Sequence, residues 1–423
     1  MTGSQSDDRR GRRELRVDVA VVGASLAGCT AATLLGRQGA DVALIERSPD
    51  PAAHKRLCGH FLQASATPVL ERLGVVPAME AAGAVRNSAD LHTRWGWIAP
   101  RPQPGAPRAH GYSLRRSKLD PIVRDAARAA PGVRYAGGRT AVELLGDGDR
   151  CTGVVVRDRT GQETAIRASL VVGADGRASR TAELARAPAR RRPNARCCWM
   201  AYFAGVERLP EERAALWMLE PDVFIAAPND DGLTLLAAFL HKDRLADVKA
   251  DLDGAFARLM RTVPPGPSFA DAVRVSPFVG YVDYPAVARP PAPGPGLALV
   301  GDAALTCDPT MAIGCGWALQ SGAWLADAVA PALRGDGSLD RALSRYARRH
   351  HHELAGHARL LDQAAQARPA NPVERLMLRA AARDPEMARH FERFATRSMR
   401  PSRFLAPRAL GRAVRANLAP APG

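Results

Sequence analysis

The N-terminal part of the chain alternates between short apolar runs and a longer Ala-rich run. An apolar run at 15–22 is followed by a glycine-containing turn at 23–28, a helical run, and a second apolar run at 41–46. Apolar runs of about four to eight residues bounded by turn residues are typical of buried strands, and the run between them is long enough for a helix. Residues 15–46 therefore predict a β–α–β unit with two parallel strands.

The turn of this unit has the residue types that a phosphate site requires. Gly23 permits a tight turn, the small Ser25 lets the backbone approach a pyrophosphate, and Gly28 lets the helix lie close to the strand. The helix N-terminus offers free N–H groups and the positive end of its dipole to the phosphates. Glu46 ends the second run, where it is placed to accept hydrogen bonds from a ribose diol. The unit predicts a dinucleotide site without distinguishing NAD from FAD.

Two later apolar runs also stop at a carboxylate. The run at 170–174 ends at Asp175 and Gly176, and the run at 297–301 ends at Asp302. Open α/β sheets bind ligands at the carboxyl ends of their strands. Both carboxylates are therefore candidates for the same site as the N-terminal turn.

After the second of these runs, Pro309 turns the chain and residues 312–314 begin another helix. The three segments, in this order and at these separations, resemble the FAD-dependent monooxygenases of the aromatic-hydroxylase fold and the related geranylgeranyl-reductase-like flavoproteins. The resemblance covers residues 15–330. It implies that the dinucleotide is FAD, with the N-terminus of the second helix facing the flavin ring.

The resemblance implies an α/β fold with three parts. These are a Rossmann-like FAD-binding domain of the glutathione-reductase type, an inserted antiparallel β-sheet domain for the substrate, and a C-terminal helical segment. The expected ranges are 15–85, 110–188 and 294–335 for the discontinuous FAD-binding domain, 86–109 and 189–293 for the substrate domain, and 336–423 for the C-terminal helical region and tail. We expect disorder in residues 1–14 and irregular structure in the last 20 residues.

Two further segments match these families. Arg116 begins a stretch similar to the Arg-x-x-Phe-Asp segment whose arginine reaches the cofactor, although the adjacent Arg115 is an alternative. Residues 55–60 resemble a Lys/Arg-x-Cys-Gly segment that covers the cofactor and places Cys58 near the flavin. The candidate cofactor-binding residues are Gly23, Ser25, Leu26, Ala27, Gly28, Glu46, Arg47, Arg56, Gly59, Arg116, Asp175, Gly176, Asp302, Pro309, Ala312, Ile313 and Gly314.

His60 stands where the family usually has an acidic residue or glycine after Cys-Gly, and the last of the three motifs departs from the family pattern in two places. Ala312 and Ile313 stand where the family usually has Gly-x, which narrows the room for the flavin ring. Leu305 stands where the hydroxylases usually have histidine. This second departure favours the reductase-like branch.

Residues 195–280 contain several strands rich in large apolar side chains, followed by a helix near 245–262. Residues 91–98 predict one more alternating strand. In the resembled fold, such an antiparallel sheet covers the substrate cavity. The candidate substrate-contacting residues are Trp97, Trp199, Tyr202, Trp217 and Phe224. The alternative is that these side chains form plain sheet core.

The net charge of +16 suggests nucleic-acid binding at first sight. Lysine occurs only four times, however, so nearly all of the basic residues are arginine, a composition that fits a GC-rich genome. No basic stripe interleaved with aromatic residues is present, and we expect no nucleic-acid partner. The charge could instead favour an acidic carrier protein that bears the substrate.

Cysteine and histidine give no metal signal. The seven cysteines contain no Cys-x-x-Cys pair, and residues 350–352 with His357 are expected on a solvated face of a helix. We expect no metal. The polar residues 1–13 argue against a signal peptide, and no apolar run is long enough to span a membrane. We expect a cytoplasmic protein.

The resemblance implies an FAD-dependent oxidoreductase that uses NAD(P)H as a transient co-substrate. The expected reaction is monooxygenation, by hydroxylation or epoxidation, of an apolar or aromatic specialised metabolite, free or carried by a protein. The alternatives are a reductase of isoprenoid-type C=C bonds, a flavin-dependent halogenase suggested by the Trp-x-Trp-like segment 95–100, and a non-redox FAD-dependent cyclase. The sequence assigns no catalytic residue and no oligomeric state.

Overall fold

A computed structural model gives the structure of residues 6–7, 12–101 and 109–419. Most of residues 1–14, for which the sequence predicts disorder, lies outside the described residues. The strand expected from residue 15 begins at Arg13. The reason is that Arg13 and Glu14 pair with Thr164 and Ala165 of a neighbouring strand.

Within the described residues, the strands are, in chain order, β1 (Ser6–Asp7), β2 (Arg13–Val22), β3 (Val42–Glu46), β4 (Phe61–Leu62), β5 (Val85–Asn87), β6 (Ala89–Thr93), β7 (Gly96–Ile98), β8 (Gly111–Ser113), β9 (Val133–Gly137), β10 (Thr140–Asp147), β11 (Arg150–Arg157), β12 (Glu163–Gly173), β13 (Arg190–Arg192), β14 (Arg196–Ala204), β15 (Ala214–Met218), β16 (Val223–Pro228), β17 (Thr234–His241), β18 (Val273–Arg274), β19 (Val279–Tyr281), β20 (Ala286–Ala288) and β21 (Leu297–Leu299).

The α-helices of the same residues are α1 (Leu26–Arg37), α2 (Thr67–Leu73), α3 (Val76–Ala81), α4 (Arg116–Arg128), α5 (Arg180–Leu184), α6 (Leu245–Ala250), α7 (Leu252–Thr262), α8 (Gly314–Leu333), α9 (Leu339–Ala364), α10 (Pro372–Arg383), α11 (Pro385–Ala395), α12 (Pro401–Phe404) and α13 (Pro407–Leu418). None of these helices has both the length and the apolar character that crossing a membrane requires.

The first sheet has the strand order β10-β11-β12-β2-β3-β9, with β1 beside β2 and β21 beside β12. Strands β12, β2, β3, β9 and β21 run parallel, whereas β10, β11 and β12 form antiparallel hairpins. Val19, Ala20 and Val21 of β2 are fully buried, because layers of side chains cover both faces of this central strand. The predicted β–α–β unit is therefore confirmed as β2–α1–β3. Helix α1 packs between the sheet and α8.

The second sheet has the order β18-β14-β17-β16-β15-β6-β7, with β19 beside β14, and is antiparallel except for the β15–β6 pair. It contains the strands predicted in residues 195–280. The single strand expected at 91–98 is wrong, because the chain reverses at Arg94 and Trp95 into the antiparallel pair β6–β7. Gly96, with φ of +104°, takes up the positive dihedral that this reversal needs.

The C-terminal region is helical to Leu418, and residues 420–423 lie outside the described residues. The irregular structure expected for the last 20 residues is therefore wrong over α12 and α13. Helix α13 is amphipathic, and its Ala413 is fully buried in a cluster with Met377, Met387 and Phe404 of the preceding helices. This packing stabilises the helix, whereas the Arg-rich exposed face contributes little to its formation.

The sequence predicts that the histidines of α9 lie on a solvated face. This prediction is wrong for two of them. His350 and His357 are only 5% and 7% exposed, because they face the neighbouring elements rather than solvent. His350 packs edge-on against Tyr346, and His357 stacks on Phe394. No group of three His, Cys, Asp or Glu side chains suited to a metal ion occurs in the part of the chain that the structure describes.

We predict that His350 makes the protein acid-sensitive. Burial, with a smaller effect of His351, lowers the pKa of His350 to about 4. An unfolded histidine titrates near pH 6.5, so below that pH the unfolded state binds a proton that the folded state refuses. The contribution of neutral His350 to stability is therefore complete above pH 6.5 and declines toward pH 4. The free energy of unfolding should fall by roughly 1 kcal/mol per pH unit in that window.

Urea unfolding at several pH values checks this prediction. The His350→Gln variant should lose less stability than wild type between pH 6.5 and 4.5, whereas His352→Gln, at an exposed position of the same helix, should behave like wild type. Identical pH profiles for wild type and His350→Gln would rule out His350 as the acid-sensitive group.

Candidate functional site

The turn between β2 and α1 has no room for side chains at its glycines. Gly23 has φ of +107°, and a Cβ atom there would lie 2.5 Å from the carbonyl oxygen of Ala174. A Cβ atom at Gly28 would lie 1.8 Å from the carbonyl oxygen of Gly23. No side chain caps the N-terminus of α1, where Ser25 occupies the cap position. The first-turn N–H groups, which include those of Leu26 and Ala27, are therefore available to an anion.

Glu46 lies at the carboxyl end of β3, beside this turn. Its carboxylate accepts hydrogen bonds from the backbone N–H groups of Ala24, at 2.9 Å, and Ser48, at 3.0 Å. These bonds fix the carboxylate next to the first turn of α1. The neighbouring Arg47 has an exposed side chain, as does Arg56.

The structure distinguishes Arg116 from Arg115. Arg116 is 2% exposed, donates to Asp120 at 2.6 Å, and donates to the hydroxyl of Ser25 at 2.8 Å. It therefore reaches the glycine turn directly. Arg115 instead pairs with Asp230 and Asp231, on the side of the second sheet.

Asp302 lies in a short 3₁₀ turn after β21, and its carboxylate accepts a 2.7 Å hydrogen bond from the Lys55 ammonium. A second short turn begins at Pro309 and ends at Ala312, which is left-handed with φ of +52°. Helix α8 begins at Gly314 without a side-chain cap. The first-turn N–H groups of α8 thus lie close to Asp302, whose Oδ1 atom is 4.0 Å from the Cβ position of Gly314.

Two of the predicted residues also have partners within the protein itself. Asp175 accepts hydrogen bonds from Ser179 and Thr181, which fold the loop into the start of α5, and Gly176 in this loop has φ of +82°. Ile313 is buried in the core of the first sheet. The structure therefore gives both Asp175 and Ile313 a clear structural role.

A cleft runs from Asp302 and the N-terminus of α8 to the second sheet. Its empty space, which is continuous with solvent, is about 1630 Å³. The wall next to the first sheet includes Lys55, Cys58, Gly59, Asp302, Pro309, Ala312, Gly314 and Cys315. The opposite wall consists of apolar, mostly aliphatic residues of the second sheet, which include Leu91, Ile98, Met200, Leu216, Ile225, Leu235 and Phe239.

Most of the aromatic residues expected to line the cavity do not. Trp97, Trp199, Trp217 and Phe224 lie on the other face of the second sheet, in a cluster with Phe256 of α7 and its neighbours. Side chains alternate between the two faces of a strand, and the larger aromatic residues belong to the face that α7 covers. The prediction that these four side chains contact the substrate is therefore wrong, because they form part of the core.

Tyr202 lies on the cavity side of the same sheet, and its hydroxyl is hydrogen-bonded to Nδ1 of His60. Burial lowers the pKa of His60, so its imidazole is neutral at pH 7. His60 lines the cleft, and its buried Nε2 atom has no partner among the described residues. The sequence identifies His60 only as a departure from the cofactor segment. Its contact with Tyr202 could not be predicted, because the two residues are 142 positions apart in the chain.

The C-terminal helices also line the cleft, which the sequence did not predict. Phe391, Glu392, Ala395 and Thr396, at the end of α11, contribute to its lining. Phe391 belongs to the apolar cluster that α10, α11 and α13 form with Leu91 and Ile98. The only sequence signal for this contact is the amphipathic pattern of α11, which indicates that one face of the helix is packed. The pattern does not show which element packs against that face.

Comparison with known proteins decides what the first sheet binds. Residues 16–244, more than half of the chain, match the family model described as an FAD binding domain. The chain belongs to this family. FAD is therefore the dinucleotide of the β2–α1–β3 unit.

Individual relatives extend this picture. The chain is 36% identical over 170 residues to kynurenine 3-monooxygenase of Salinispora arenicola, a match that covers 38% of this chain and 36% of that protein. It is 25% identical over 346 residues to tryptophan 2-halogenase of Chondromyces crocatus, covering 78% of this chain and 64% of that protein. The first of these matches means that the chain spans about a third of the length of kynurenine 3-monooxygenase. The fold is similar to that of the flavin-dependent brominase Bmp2, with a TM-score of 0.75, 19% identity, and coverage of 95% of this chain and 98% of that one.

The residues present fit FAD. Side chains at Gly23 and Gly28 would fill the space of the turn, and the N-termini of α1 and α8 have no side-chain caps; the first residues of α8 line the cleft. The cleft also contains buried polar atoms, Nε2 of His60 and Nε1 of Trp317, that have no partner among the described residues. The pyrophosphate of a long ligand satisfies the helix N-termini, and the two buried atoms are left for polar groups of the flavin or of the substrate.

We predict that Glu46→Arg weakens FAD binding by about 1–3 kcal/mol, because it removes a hydrogen-bond acceptor and places a cation beside the turn. Equilibrium titration of the apoprotein with FAD, followed by flavin fluorescence, gives the dissociation constant. Glu71→Arg, on an exposed position of α2, is the matched control and should bind like wild type. Equal FAD affinity in both variants would remove Glu46 from the site.

Proposed function

We propose that this chain is an FAD-dependent oxidoreductase, and specifically a monooxygenase that uses NAD(P)H and dioxygen to hydroxylate or epoxidise an apolar or aromatic small molecule. The single observation that carries the proposal is the cleft, which joins the predicted FAD-binding residues Asp302, Pro309 and Gly314 to an apolar wall of the second sheet. The similarity of 38% of this chain to kynurenine 3-monooxygenase supports the same reaction class. NAD(P)H binds transiently, and the substrate is either free or carried by an acidic protein.

FAD, when bound, supplies the redox chemistry, and the protein supplies position and exclusion of water. Leu216, Ile225 and Leu235 present aliphatic side chains to the substrate and keep the cleft dry. Phe391 of α11 borders the same space from the C-terminal side. These groups favour a substrate with a large apolar surface.

His60 orients the substrate through one polar contact. When the Tyr202 hydroxyl donates to Nδ1, the neutral imidazole carries its proton on Nε2. Nε2 then donates a hydrogen bond to an oxygen of the substrate. The substrate is therefore an apolar molecule with a hydroxyl, carbonyl or carboxylate group at one end.

The test is a screen of NAD(P)H oxidation and oxygen uptake against apolar aromatic and isoprenoid compounds, with product analysis by mass spectrometry. A stimulating compound should give a product heavier by one oxygen atom. Uptake of oxygen that no compound stimulates, or a product without added oxygen, would contradict the proposal.

We predict that Ile225→Trp fills part of the cleft. The KM for the stimulating compound should rise at least about tenfold, while the FAD content stays at the wild-type level. Val273→Trp adds the same side chain at a position that is 62% exposed and should change neither quantity. Unchanged KM in Ile225→Trp would place the substrate outside this cleft.

A halogenase is the second candidate. The match to tryptophan 2-halogenase covers twice as much of this chain as the match to kynurenine 3-monooxygenase. Repeating the screen with chloride or bromide in the buffer separates the two activities. A product that gains halogen instead of oxygen would replace the first proposal with the second.

A further inference from the structure

Two cysteines that are 257 residues apart in the chain meet at the cleft. The Sγ atoms of Cys58 and Cys315 are 3.5 Å apart and share a hydrogen bond. Cys58 lies in the loop before β4, whereas Cys315 is the second residue of α8. Both line the cleft on its FAD side. A disulfide bond is about 2.05 Å long, so a shift of about 1.5 Å would join the two sulfurs.

The surroundings of the pair stabilise a thiolate. Nη1 of the buried Arg116 is 3.6 Å from Sγ of Cys58 and 3.7 Å from Sγ of Cys315. The hydrogen bond from Cys315, with the positive charges of Arg116 and Lys55, holds the pKa of Cys58 well below its usual value. The position of Cys315 in the first turn of α8 adds the positive end of a helix dipole.

The other cysteines have the opposite character. Burial raises the pKa of Cys29, Cys197, Cys198 and Cys307. It also raises the pKa of Cys151, which donates to a carbonyl oxygen in its own hairpin. Among the seven cysteines, a nucleophilic sulfur in contact with a second sulfur thus occurs only at the cleft.

We propose that Cys58 and Cys315 form a second redox centre, a dithiol that converts reversibly to a disulfide by exchanging two electrons with bound FAD. In this step the S–H bond of Cys315 breaks, and one S–S bond forms between its sulfur and the thiolate of Cys58. The oxidised FAD accepts both electrons and the proton of Cys315. Disulfide formation itself rests only on the geometry of the pair, whereas the electron exchange rests on the FAD site of the proposed function.

The first experiment uses the apoprotein and requires no turnover. The protein is incubated with oxidised glutathione, blocked with N-ethylmaleimide under denaturing conditions, digested, and analysed by mass spectrometry. We expect a Cys58–Cys315 cross-linked peptide that disappears on reduction with dithiothreitol, while Cys151 carries the maleimide adduct. Maleimide adducts at both Cys58 and Cys315 after this oxidation would overturn the proposal.

The second experiment tests the exchange with FAD. Reduced apoprotein is loaded anaerobically with FAD, and the loss of oxidised-flavin absorbance is compared with the amount of disulfide. We expect one disulfide for each FAD reduced in wild type and in Cys151→Ser. We expect no bleaching in Cys58→Ser or in Cys315→Ser, and circular dichroism of both variants checks that they are folded. Bleaching that persists in both serine variants, or a wild-type disulfide without bleaching, would overturn the exchange.

These outcomes are independent of the monooxygenase reaction. If no compound stimulates oxygen uptake but the cross-link and the bleaching are observed, the proposed function fails and the second redox centre stands. If oxygen transfer is observed without a cross-link, the reverse holds.

Discussion

Replacing Arg116 with leucine should destabilise the protein by about 3–5 kcal/mol and abolish FAD binding. Arg116 and Asp120 form an ion pair whose side chains are 2% and 1% exposed. Without the guanidinium, the Asp120 carboxylate is left as an uncompensated buried charge, with the backbone N–H of Lys55 as its remaining donor. Ser25 and the cysteine pair lose the same partner, so the glycine turn and the cleft are affected together.

Urea unfolding and FAD titration measure the two effects separately. Arg128→Leu is the control, because Arg128 lies on the same helix in a pair with Asp125 that is largely solvent-exposed. Such surface pairs contribute about 0–1 kcal/mol, so this variant should keep nearly full stability and FAD affinity. A small effect of Arg116→Leu, similar to that of the control, would show that Asp120 does not depend on Arg116.

Gly28→Ala should weaken FAD binding at least about a hundredfold and reduce the free energy of unfolding by about 3 kcal/mol or more. The added methyl group would lie 1.8 Å from the carbonyl oxygen of Gly23 and 3.1 Å from Cβ of Ala174. Both neighbours are part of the packed turn, so α1 must move away from the sheet. That movement takes the first-turn N–H groups away from the phosphates.

Gly411→Ala makes the same substitution at a helical glycine with no atom within 4 Å of its Cβ position. It should leave FAD binding unchanged and stabilise α13 by up to about 1 kcal/mol, because alanine has the higher helix propensity. FAD titration and thermal unfolding of both variants provide the comparison. Wild-type FAD affinity in Gly28→Ala would contradict the packing described for the turn.

The parts of the site that depend on local pattern could be predicted from the sequence. The β2–α1–β3 unit combines an apolar period, turn glycines and a terminal carboxylate within 34 residues, from Arg13 to Glu46. Each of these signals depends on residues that are neighbours in the chain. The same locality explains why the segment that begins at Arg116 was found.

The substrate side depends on contacts that local pattern does not contain. Trp217 and Leu216 are adjacent in β15, yet one packs under α7 and the other faces the cleft. Its large aromatic side chain made Trp217 a candidate for substrate contact. Which face of a strand lines a cavity, however, depends on which face a helix covers. Phe391 joins the cleft from the C-terminal helices, and no pattern near it names β6 or β7 as its partner. The pairing of Cys58 with Cys315 is likewise a tertiary contact.

The measurement that tests the central claim most directly is the fate of dioxygen labelled with ¹⁸O. The FAD-loaded protein is supplied with NAD(P)H, a stimulating compound and the labelled gas, and the product is analysed by mass spectrometry. We predict one ¹⁸O atom in each product molecule. When the water is labelled instead of the gas, we predict no ¹⁸O in the product. A product that gains only hydrogen or halogen, with all of the ¹⁸O recovered as peroxide or water, would contradict the claim that this cleft holds a monooxygenase site.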